Sequence, residues 1–141
     1  MGISKATAQW DGDIKSGRGV MKPAHAGEIP FTLGSRFEGQ PASNPEELIG
    51  AALAGCFSMA LSLGLEKAGT KPQTIRTTAD VKLDKDGEGF TITSIALSTE
   101  VSAPGLDDAK FQEIAAATKK ACPVSKALGG VASITLQAKL A

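Results

Sequence analysis

The feature that most constrains the fold is a long apolar segment whose start carries a complete set of helix signals. Asn44 is a preferred N-cap residue, Pro45 suits the first helical position, and Glu47 is placed for the reciprocal bond of a capping box. The helix is predicted to run from Pro45 to about Ala68, just before a glycine. Because residues 48–65 are apolar nearly all round, we expect this helix to be buried on every face.

A chain of this size has difficulty covering such a helix. The 141 residues amount to one domain's worth of sequence, so we predict a single domain over residues 1–141. One small domain rarely surrounds an apolar helix on all sides. A second subunit is therefore expected to cover part of it.

The rest of the chain predicts strands and two shorter helices. The segments are two strands within 5–20 around an Asp-Gly turn, an irregular or strand-like stretch at 28–40, a strand pair at 73–102, an amphipathic helix at 107–121, a short helix at 123–128 and a strand at 131–140. The hydrophobic phase of the strand pair changes at Ser94, which suggests a bulge. This order predicts an α+β fold rather than a series of βαβ units, with the long helix packed between antiparallel strands.

The charge and composition disfavour several classes of partner. Fifteen Lys and Arg balance fifteen Asp and Glu, so we expect neither nucleic acid nor an anionic membrane as a main partner. Aromatic residues make up only 4% of the chain, which disfavours stacking platforms for bases or sugars. Two cysteines and one histidine cannot supply the four ligands of a structural zinc site, and we predict no metal and no cofactor. We expect no secretory signal and no membrane span, hence a cytoplasmic protein.

The two cysteines are the residues best suited to carry chemistry. Cys56 lies in the middle of the apolar helix, where a free cysteine often serves only as a small core residue. Cys122 precedes Pro123 at the start of the short helix, a position that lowers the pKa of a thiol. In a reducing compartment this arrangement suggests a reactive and a resolving thiol. Passive packing of both thiols stays open as the alternative.

A reactive thiol needs a partner that stabilises its charged form. At an ordinary pKa of about 8.5 only roughly 3% of a thiol is ionised at neutral pH, and burial raises the pKa further. Arginine is the natural partner because it stays charged when it is partly buried. Arg36 lies just before the long helix, and Glu46 or Glu47 at the helix start is placed to hold it. The alternatives are a plain surface ion pair and acidic residues that only satisfy the helix start; His25 is a weaker candidate.

Several motifs together resemble the OsmC/Ohr family of peroxide reductases. They are N-P-E-E-L-I-G-A-A from Asn44, G-C-F-S-M-A-L from Gly55 and A-C-P-V-S from Ala121, and the resemblance covers essentially the whole chain. W-D-G from Trp10 and S-R-F-E from Ser35 look like the OsmC branch rather than the Ohr branch.

The resemblance implies a cysteine-based peroxidase with an OsmC-like α+β fold. It implies that Cys56 is the peroxidatic cysteine, Cys122 the resolving cysteine, and Arg36 the residue that holds the thiolate and polarises the peroxide. Glu46 is implied to pair with Arg36. Arg18 is the second candidate for the site arginine, because the Ohr branch places its arginine earlier in the chain. The implied substrate is an organic hydroperoxide, with hydrogen peroxide a weaker one, and the implied reductant is a dithiol such as a lipoylated protein.

The apolar neighbours of Cys56 predict the kind of peroxide that fits. Phe57, Met59 and Leu53 are expected to line an apolar pocket, which favours organic peroxides over hydrogen peroxide. Ordinary core packing of the same three residues is the alternative.

Helix geometry adds a constraint on Glu46. Ten residues along a helix correspond to a rise of about 15 Å, too far for a Glu46 side chain to reach Cys56 on its own helix. Either a second subunit supplies Glu46 or the start of the helix bends. Together with the apolar helix, this favours an intertwined homodimer with two interfacial sites, which the family resemblance also implies.

Two other functions stay open. One is a dithiol-disulfide oxidoreductase without peroxidase chemistry, which the absence of a C-x-x-C motif disfavours. The other is a non-catalytic, stress-related binding domain with inert buried cysteines. Consumption of an organic hydroperoxide that is lost in Cys56→Ser separates the peroxidase from both.

Overall fold

The computed structural model describes residues 2–141. These residues form two compact units, one ending at Leu48 and one that spans Ile49–Ala141. The predicted single domain begins at Met1, which lies outside the described residues.

Groups of strands and groups of helices follow one another along the described chain, which is an α+β arrangement. In chain order the elements are β1 (Ala6–Asp11), β2 (Arg18–Pro23), β3 (Ile29–Phe31), α1 (Leu33–Phe37), α2 (Pro45–Lys67), β4 (Thr74–Asp86), β5 (Gly89–Ser102), α3 (Asp108–Ala121), α4 (Pro123–Ala127) and β6 (Ser133–Leu140). The predicted α+β class is confirmed.

The first unit is built on an antiparallel sheet in the order β1-β2-β3. Strands β1 and β2 form the hairpin predicted around the Asp-Gly turn, with Asp11 opposite Arg18. The Trp10 and Phe31 rings pack with their centroids 5.6 Å apart. A Cβ at Gly19 would lie 2.5 Å from the Phe31 ring and 2.8 Å from the Trp10 ring, so this close approach requires glycine.

The stretch predicted to be irregular or strand-like, residues 28–40, contains the short helix α1 as well as β3. Thr32 caps α1, because its side chain accepts from the Ser35 N–H and the Ser35 hydroxyl accepts from the Thr32 N–H. The Ser35 hydroxyl also donates to the Ser43 carbonyl at 2.7 Å, which connects α1 to the segment before α2. Five helical residues show no hydrophobic period, and the sequence pattern therefore did not predict this helix.

The start of α2 is the one predicted from the sequence. The side-chain oxygen of Asn44 accepts from the Glu47 N–H at 2.9 Å, which confirms Asn44 as the N-cap. The Glu47 carboxylate accepts from the Ser43 hydroxyl at 2.9 Å rather than from the Asn44 N–H. Helix α2 ends at Lys67, and Gly69 follows with a φ of 94° in the left-handed region.

The second unit contains a mixed sheet in the order β4-β5-β6. Strands β4 and β5 are antiparallel, and their pairing skips Thr93 beside Ser94, which confirms the predicted bulge. Strand β6 pairs with β5 in parallel, since α3 and α4 supply the long crossover that parallel neighbours need. This sheet therefore contains one parallel pair beside the antiparallel pair.

Helix α2 is buried along one face of the single chain. Its fully buried residues recur every four positions: Leu53, Phe57, Leu61 and Leu65. This stripe packs in a core with residues of β5 and α3: Ile95, Leu97, Val101, Phe111 and Ala115. On the opposite side Met59 is 78% exposed and Leu63 is 53% exposed. Within one chain α2 is therefore buried on one side, because a single sheet and α3 cover only that side. Cover of the other side by a second subunit stays a prediction.

By length and composition alone, α2 is also able to cross a membrane. Its most apolar window has a mean hydropathy of 2.0, and 28% of that window is buried. A fully buried stripe along one side is typical of the core helix of a soluble domain, which passes the same composition test. Each large apolar side chain of the stripe contributes about 1.5–3 kcal/mol to folding through burial.

Candidate active site

Three helices of the second unit bring the two cysteines together. Cys56 lies in α2, and Cys122 is at once the C-cap of α3 and the N-cap of α4. Both thiols are free, and their Sγ atoms share a hydrogen bond at 2.9 Å although 66 residues separate them in the chain. A small local movement is enough to bring the sulfurs to the bonding distance of about 2.05 Å.

The two sulfurs differ in their access to solvent. Cys122 is completely buried, whereas Cys56 is partly exposed and lines a surface pocket of about 470 Å³. Of the three residues predicted to line an apolar pocket, Met59 does so. Leu53 and Phe57 do not, because the four-residue period of α2 turns them into the core.

The two thiols also differ in their electrostatic surroundings. Burial raises the pKa of the Cys56 thiol, and the hydrogen bond shared with Cys122 raises it further. Burial acts in the same direction on Cys122, yet the hydrogen bond with Cys56 and the neighbouring Ser125 N–H and hydroxyl lower the pKa of Cys122 overall. The backbone N–H of Val124 favours the charged form of both sulfurs. Of the two thiols, Cys122 is therefore the one whose charged form its surroundings favour.

Two contributors to this site were missed by the sequence analysis: the Val124 N–H and the Ser125 side chain. Ser125 is 9% exposed, and within residues 2–141 its hydroxyl oxygen forms no hydrogen bond of good geometry. The available signal was the spacing C-P-x-S, since a proline at the first helical position places Ser125 at the third.

The first unit holds an ion pair between α1 and the start of α2. Arg36 donates to one Glu46 carboxylate oxygen from Nη2 at 2.6 Å and from Nε at 3.0 Å. Glu46 is 6% exposed, and the Arg36 guanidinium also lies 5.3 Å from the centroid of the Phe37 ring. Contacts from two nitrogens fix the orientation of the guanidinium. The pair is the one implied by the sequence, and its part in catalysis stays a prediction.

The other candidates lie elsewhere in the first unit. Arg18 is exposed at the start of β2, opposite Asp11, and His25 is exposed in the loop after β2. Glu47 lies at the start of α2, where its N–H donates to the Asn44 side chain and its carboxylate accepts from the Ser43 hydroxyl. No three His, Cys, Asp or Glu side chains among residues 2–141 come together in a way that suits a metal ion.

This chain is similar to known proteins in both sequence and fold. A family model described as OsmC-like protein matches residues 37–137. Peroxiredoxin OsmC of Escherichia coli (strain K12) is 51% identical over 138 residues, which cover 96% of this chain and 95% of that protein. Organic hydroperoxide resistance protein OhrA of Bacillus subtilis (strain 168) is 31% identical, with 70% of this chain and 68% of that protein covered. The crystal structure of OhrB of Bacillus subtilis matches with a TM-score of 0.68 and 26% identity, covering 97% of this chain and 98% of that chain.

The α+β fold and the paired thiols define a cysteine-based peroxidase. The chain belongs to the OsmC-like family, and its higher identity to Peroxiredoxin OsmC than to OhrA agrees with the OsmC branch that the motifs indicate. Glu46, Cys56 and Cys122 lie inside the residues that the family model matches, and Arg36 directly precedes them.

Proposed function

We propose that this protein reduces organic hydroperoxides to alcohols with Cys56 as the peroxidatic cysteine and Cys122 as the resolving cysteine. The observation that carries the proposal is the 2.9 Å separation of two free thiols that are 66 residues apart in the chain. The substrate class is supported by similarity to a protein named for organic hydroperoxide resistance.

Cys56 takes the first step because its sulfur is the one that a substrate reaches. It lines the 470 Å³ pocket, whereas Cys122 is completely buried. The Cys56 thiolate attacks the distal oxygen of the peroxide, the O–O bond breaks, and the alkoxide leaves and takes up a proton to become the alcohol. Cys56 is left as a sulfenic acid. The exposed Met59 and Leu63 in the pocket wall suit an apolar organic group.

Cys122 takes the second step because its sulfur is already beside Cys56 and carries the lower pKa of the two. Its thiolate attacks the Cys56 sulfur, an S–S bond forms, and the S–O bond breaks. The hydroxide that leaves takes up a proton to become water.

Arg36 supplies the positive charge that the first step requires. Burial raises the pKa of the Cys56 thiol, so a nearby cation is needed to hold Cys56 as a thiolate at neutral pH. Glu46 keeps the Arg36 guanidinium in one orientation through its contacts with Nε and Nη2. In this role the guanidinium stabilises the thiolate and then the charge that develops on the leaving alkoxide.

The active form is proposed to be a homodimer. Ten helical residues separate Glu46 from Cys56 along the uninterrupted α2, a rise of about 15 Å. The exposed apolar side chains of Met59 and Leu63 give α2 a face for a second copy. In this dimer the Arg36 guanidinium, held by Glu46 of the same protomer, stabilises the Cys56 thiolate of the other protomer.

Analytical ultracentrifugation tests the dimer. The wild type is expected at twice the chain mass, and Leu63→Glu is expected at the chain mass, because the new charge lies in the proposed interface. Ala109→Glu, which changes an exposed residue of α3, is the control and is expected to stay dimeric. A fully active monomeric wild type contradicts the interfacial site.

A dithiol reductant, with lipoylated proteins as the proposed class, regenerates the two thiols. It attacks the Cys56 sulfur of the disulfide, because Cys122 is completely buried. Dihydrolipoamide is expected to restore both thiols faster than a monothiol at equal thiol concentration. A cycle that depends on such a reductant suits the reducing cytoplasm, which is the proposed location.

Consumption of cumene hydroperoxide by the reduced protein tests the function. With a dithiol present the wild type is expected to turn over repeatedly and Cys56→Ser not at all. Ser58→Ala, which removes a neighbouring hydroxyl bonded to Thr77, is the matched control and keeps its activity. Reaction with disulfides but not with peroxides supports the dithiol-disulfide oxidoreductase instead. Reaction with neither supports inert cysteines.

A further inference from the structure

The Ser125 hydroxyl has no structural partner that explains its burial. The residue is 9% exposed, and within residues 2–141 its oxygen is buried without a hydrogen bond of good geometry. Buried hydroxyls are ordinarily hydrogen-bonded, and each exception calls for a reason.

Ser125 fills neither of the two usual roles of a serine at this place. In a capping box the third helical residue accepts from the N-cap N–H, yet the Cys122 N–H already donates to the Thr118 carbonyl at 2.9 Å. A helical hydroxyl otherwise donates to the carbonyl four residues earlier, as Thr118 does to Ile114 at 2.8 Å. Ser125 makes no such bond.

The sulfur of Cys122 is the remaining partner. Cys122 is the N-cap of α4 and Ser125 the third residue of that helix, the two positions whose side chains meet at a helix start. The Cys122 sulfur donates to the Cys56 sulfur and makes no side-chain capping bond to α4, so it can accept from a further donor. The Ser125 hydroxyl is among the groups that lower the pKa of the Cys122 thiol.

We propose that Ser125 is a positioning residue for the resolving step: its buried hydroxyl donates to the Cys122 thiolate and holds that sulfur against Cys56. The inference rests on the resolving role proposed for Cys122. As the thiolate attacks the Cys56 sulfenic acid, the S–S bond forms and hydroxide leaves, and the Ser125 hydrogen bond to Cys122 is released.

One titratable group near Cys122 shifts the pKa of its thiol. This group is Cys56 on α2, which shares the hydrogen bond between the sulfurs. Three lysines flank Cys122 in the sequence of α3 and α4, namely Lys119, Lys120 and Lys126. None of them is among the groups that shift the pKa of Cys122. A change in the pH profile of Ser125→Ala therefore reports the lost hydroxyl rather than a rearranged ion pair.

The test follows the two steps separately in the full-length reduced protein. One equivalent of cumene hydroperoxide is added, and intact mass reports the sulfenic acid, trapped with dimedone, and the disulfide, two hydrogens lighter. The rates of both steps are measured from mildly acidic to mildly alkaline pH. Thr118→Val is the matched control, because it removes another buried hydroxyl close to Cys122 in sequence. Ser125→Thr keeps the hydroxyl.

In Ser125→Ala the ratio of the resolving rate to the peroxidatic rate is expected to fall about threefold to tenfold at neutral pH, with its pH profile moved to higher pH. Ser125→Thr is expected to restore the ratio, and Thr118→Val to leave it unchanged. A Ser125→Ala profile equal to that of the wild type overturns the inference, as does an equal effect of Thr118→Val. A wild type that forms no Cys56–Cys122 disulfide instead contradicts the proposed function itself.

Discussion

The middle of α2 carries Cys56, and the corner between α3 and α4 carries Cys122. These two surroundings shift the pKa of the thiol in opposite directions. Inside α2 the backbone N–H groups are used by the helix itself, so burial dominates and the pKa of Cys56 is raised. At the corner the pKa of Cys122 is lowered despite its burial, first by the hydrogen bond with Cys56 and then by Ser125 and the Val124 N–H at the start of α4. These surroundings favour charge on the buried sulfur of Cys122, whereas Cys56 is the more accessible of the two sulfurs.

The largest expected effect is the difference in peroxide consumption between substitution of Cys56 and substitution of Cys122. Cys56→Ser is expected to lose peroxide consumption by more than about 10³-fold, because the nucleophile is gone. Cys122→Ser is expected to complete a single turnover and to stop as a sulfenic acid that dimedone traps. The measurement is peroxide consumed per protein in a rapid-mixing experiment. Equal loss of the first turnover in both variants contradicts the division of roles.

The next largest effect is expected from removal of the cation that is proposed to lie beside Cys56. Arg36→Ala is expected to lower the rate of the peroxidatic step about 10²-fold, as loss of a transition-state donor does. In a Cys122→Ser background it is also expected to raise the pKa of Cys56, measured from the pH dependence of alkylation.

Arg18→Ala is the matched control for that experiment, because Arg18 is an exposed arginine of the same unit. It is expected to change neither the rate nor the pKa. If Arg18→Ala has the larger effect, the site arginine is Arg18 and the assignment of Arg36 is wrong.

A smaller effect is the pH dependence of the resolving step. Because the pKa of Cys122 is lowered, its thiolate forms at a lower pH than that of an unperturbed thiol. The resolving rate is expected to rise with pH, to level off at a lower pH than it would with an unperturbed thiol, and to fall as pH drops through the lowered pKa. Rapid mixing at a series of pH values measures it. A rate that keeps rising through the ordinary thiol pKa shows that the pKa of Cys122 is not lowered.

The smallest effect concerns a hydroxyl beside Cys56 on α2. Ser58 donates to Thr77 at 2.7 Å, and Thr77 shares a hydrogen bond with Thr99 at 2.9 Å. Ser58→Ala is expected to lower the free energy of unfolding by about 1 kcal/mol and to leave peroxidase activity unchanged. Denaturant unfolding and the peroxide assay measure the two quantities. A marked loss of activity shows that hydroxyls on both sides of the pair serve catalysis.

The elements with strong local signals were predictable from the sequence. Asn44 and Pro45 predicted the start of α2, and the change of hydrophobic phase at Ser94 predicted the bulge in β5. The amphipathic pattern of α3 likewise placed Phe111 and Ala115 in the core. Each of these features depends on neighbours within a few residues.

The features that were missed depend on distant parts of the chain. Composition made α2 apolar on all sides, but only tertiary packing decides that Phe57 is buried and Met59 exposed. The parallel pairing of β6 with β5 depends on the crossover between them. The contact of Cys56 with Cys122, in contrast, was expected from the family resemblance, since no periodicity reports a contact between residues 66 apart. The structure brings the two sulfurs together, and their roles in catalysis stay a prediction.

The central claim is that Cys56 and Cys122 of one chain form a redox pair in which Cys56 is oxidised first. The most direct measurement is peptide mass mapping of the reduced protein after one equivalent of cumene hydroperoxide, with and without dimedone. The account predicts an intrachain Cys56–Cys122 disulfide in the wild type and dimedone on Cys56 in Cys122→Ser. Dimedone on Cys122 in Cys56→Ser at a comparable rate, or disulfides only between chains, would contradict it.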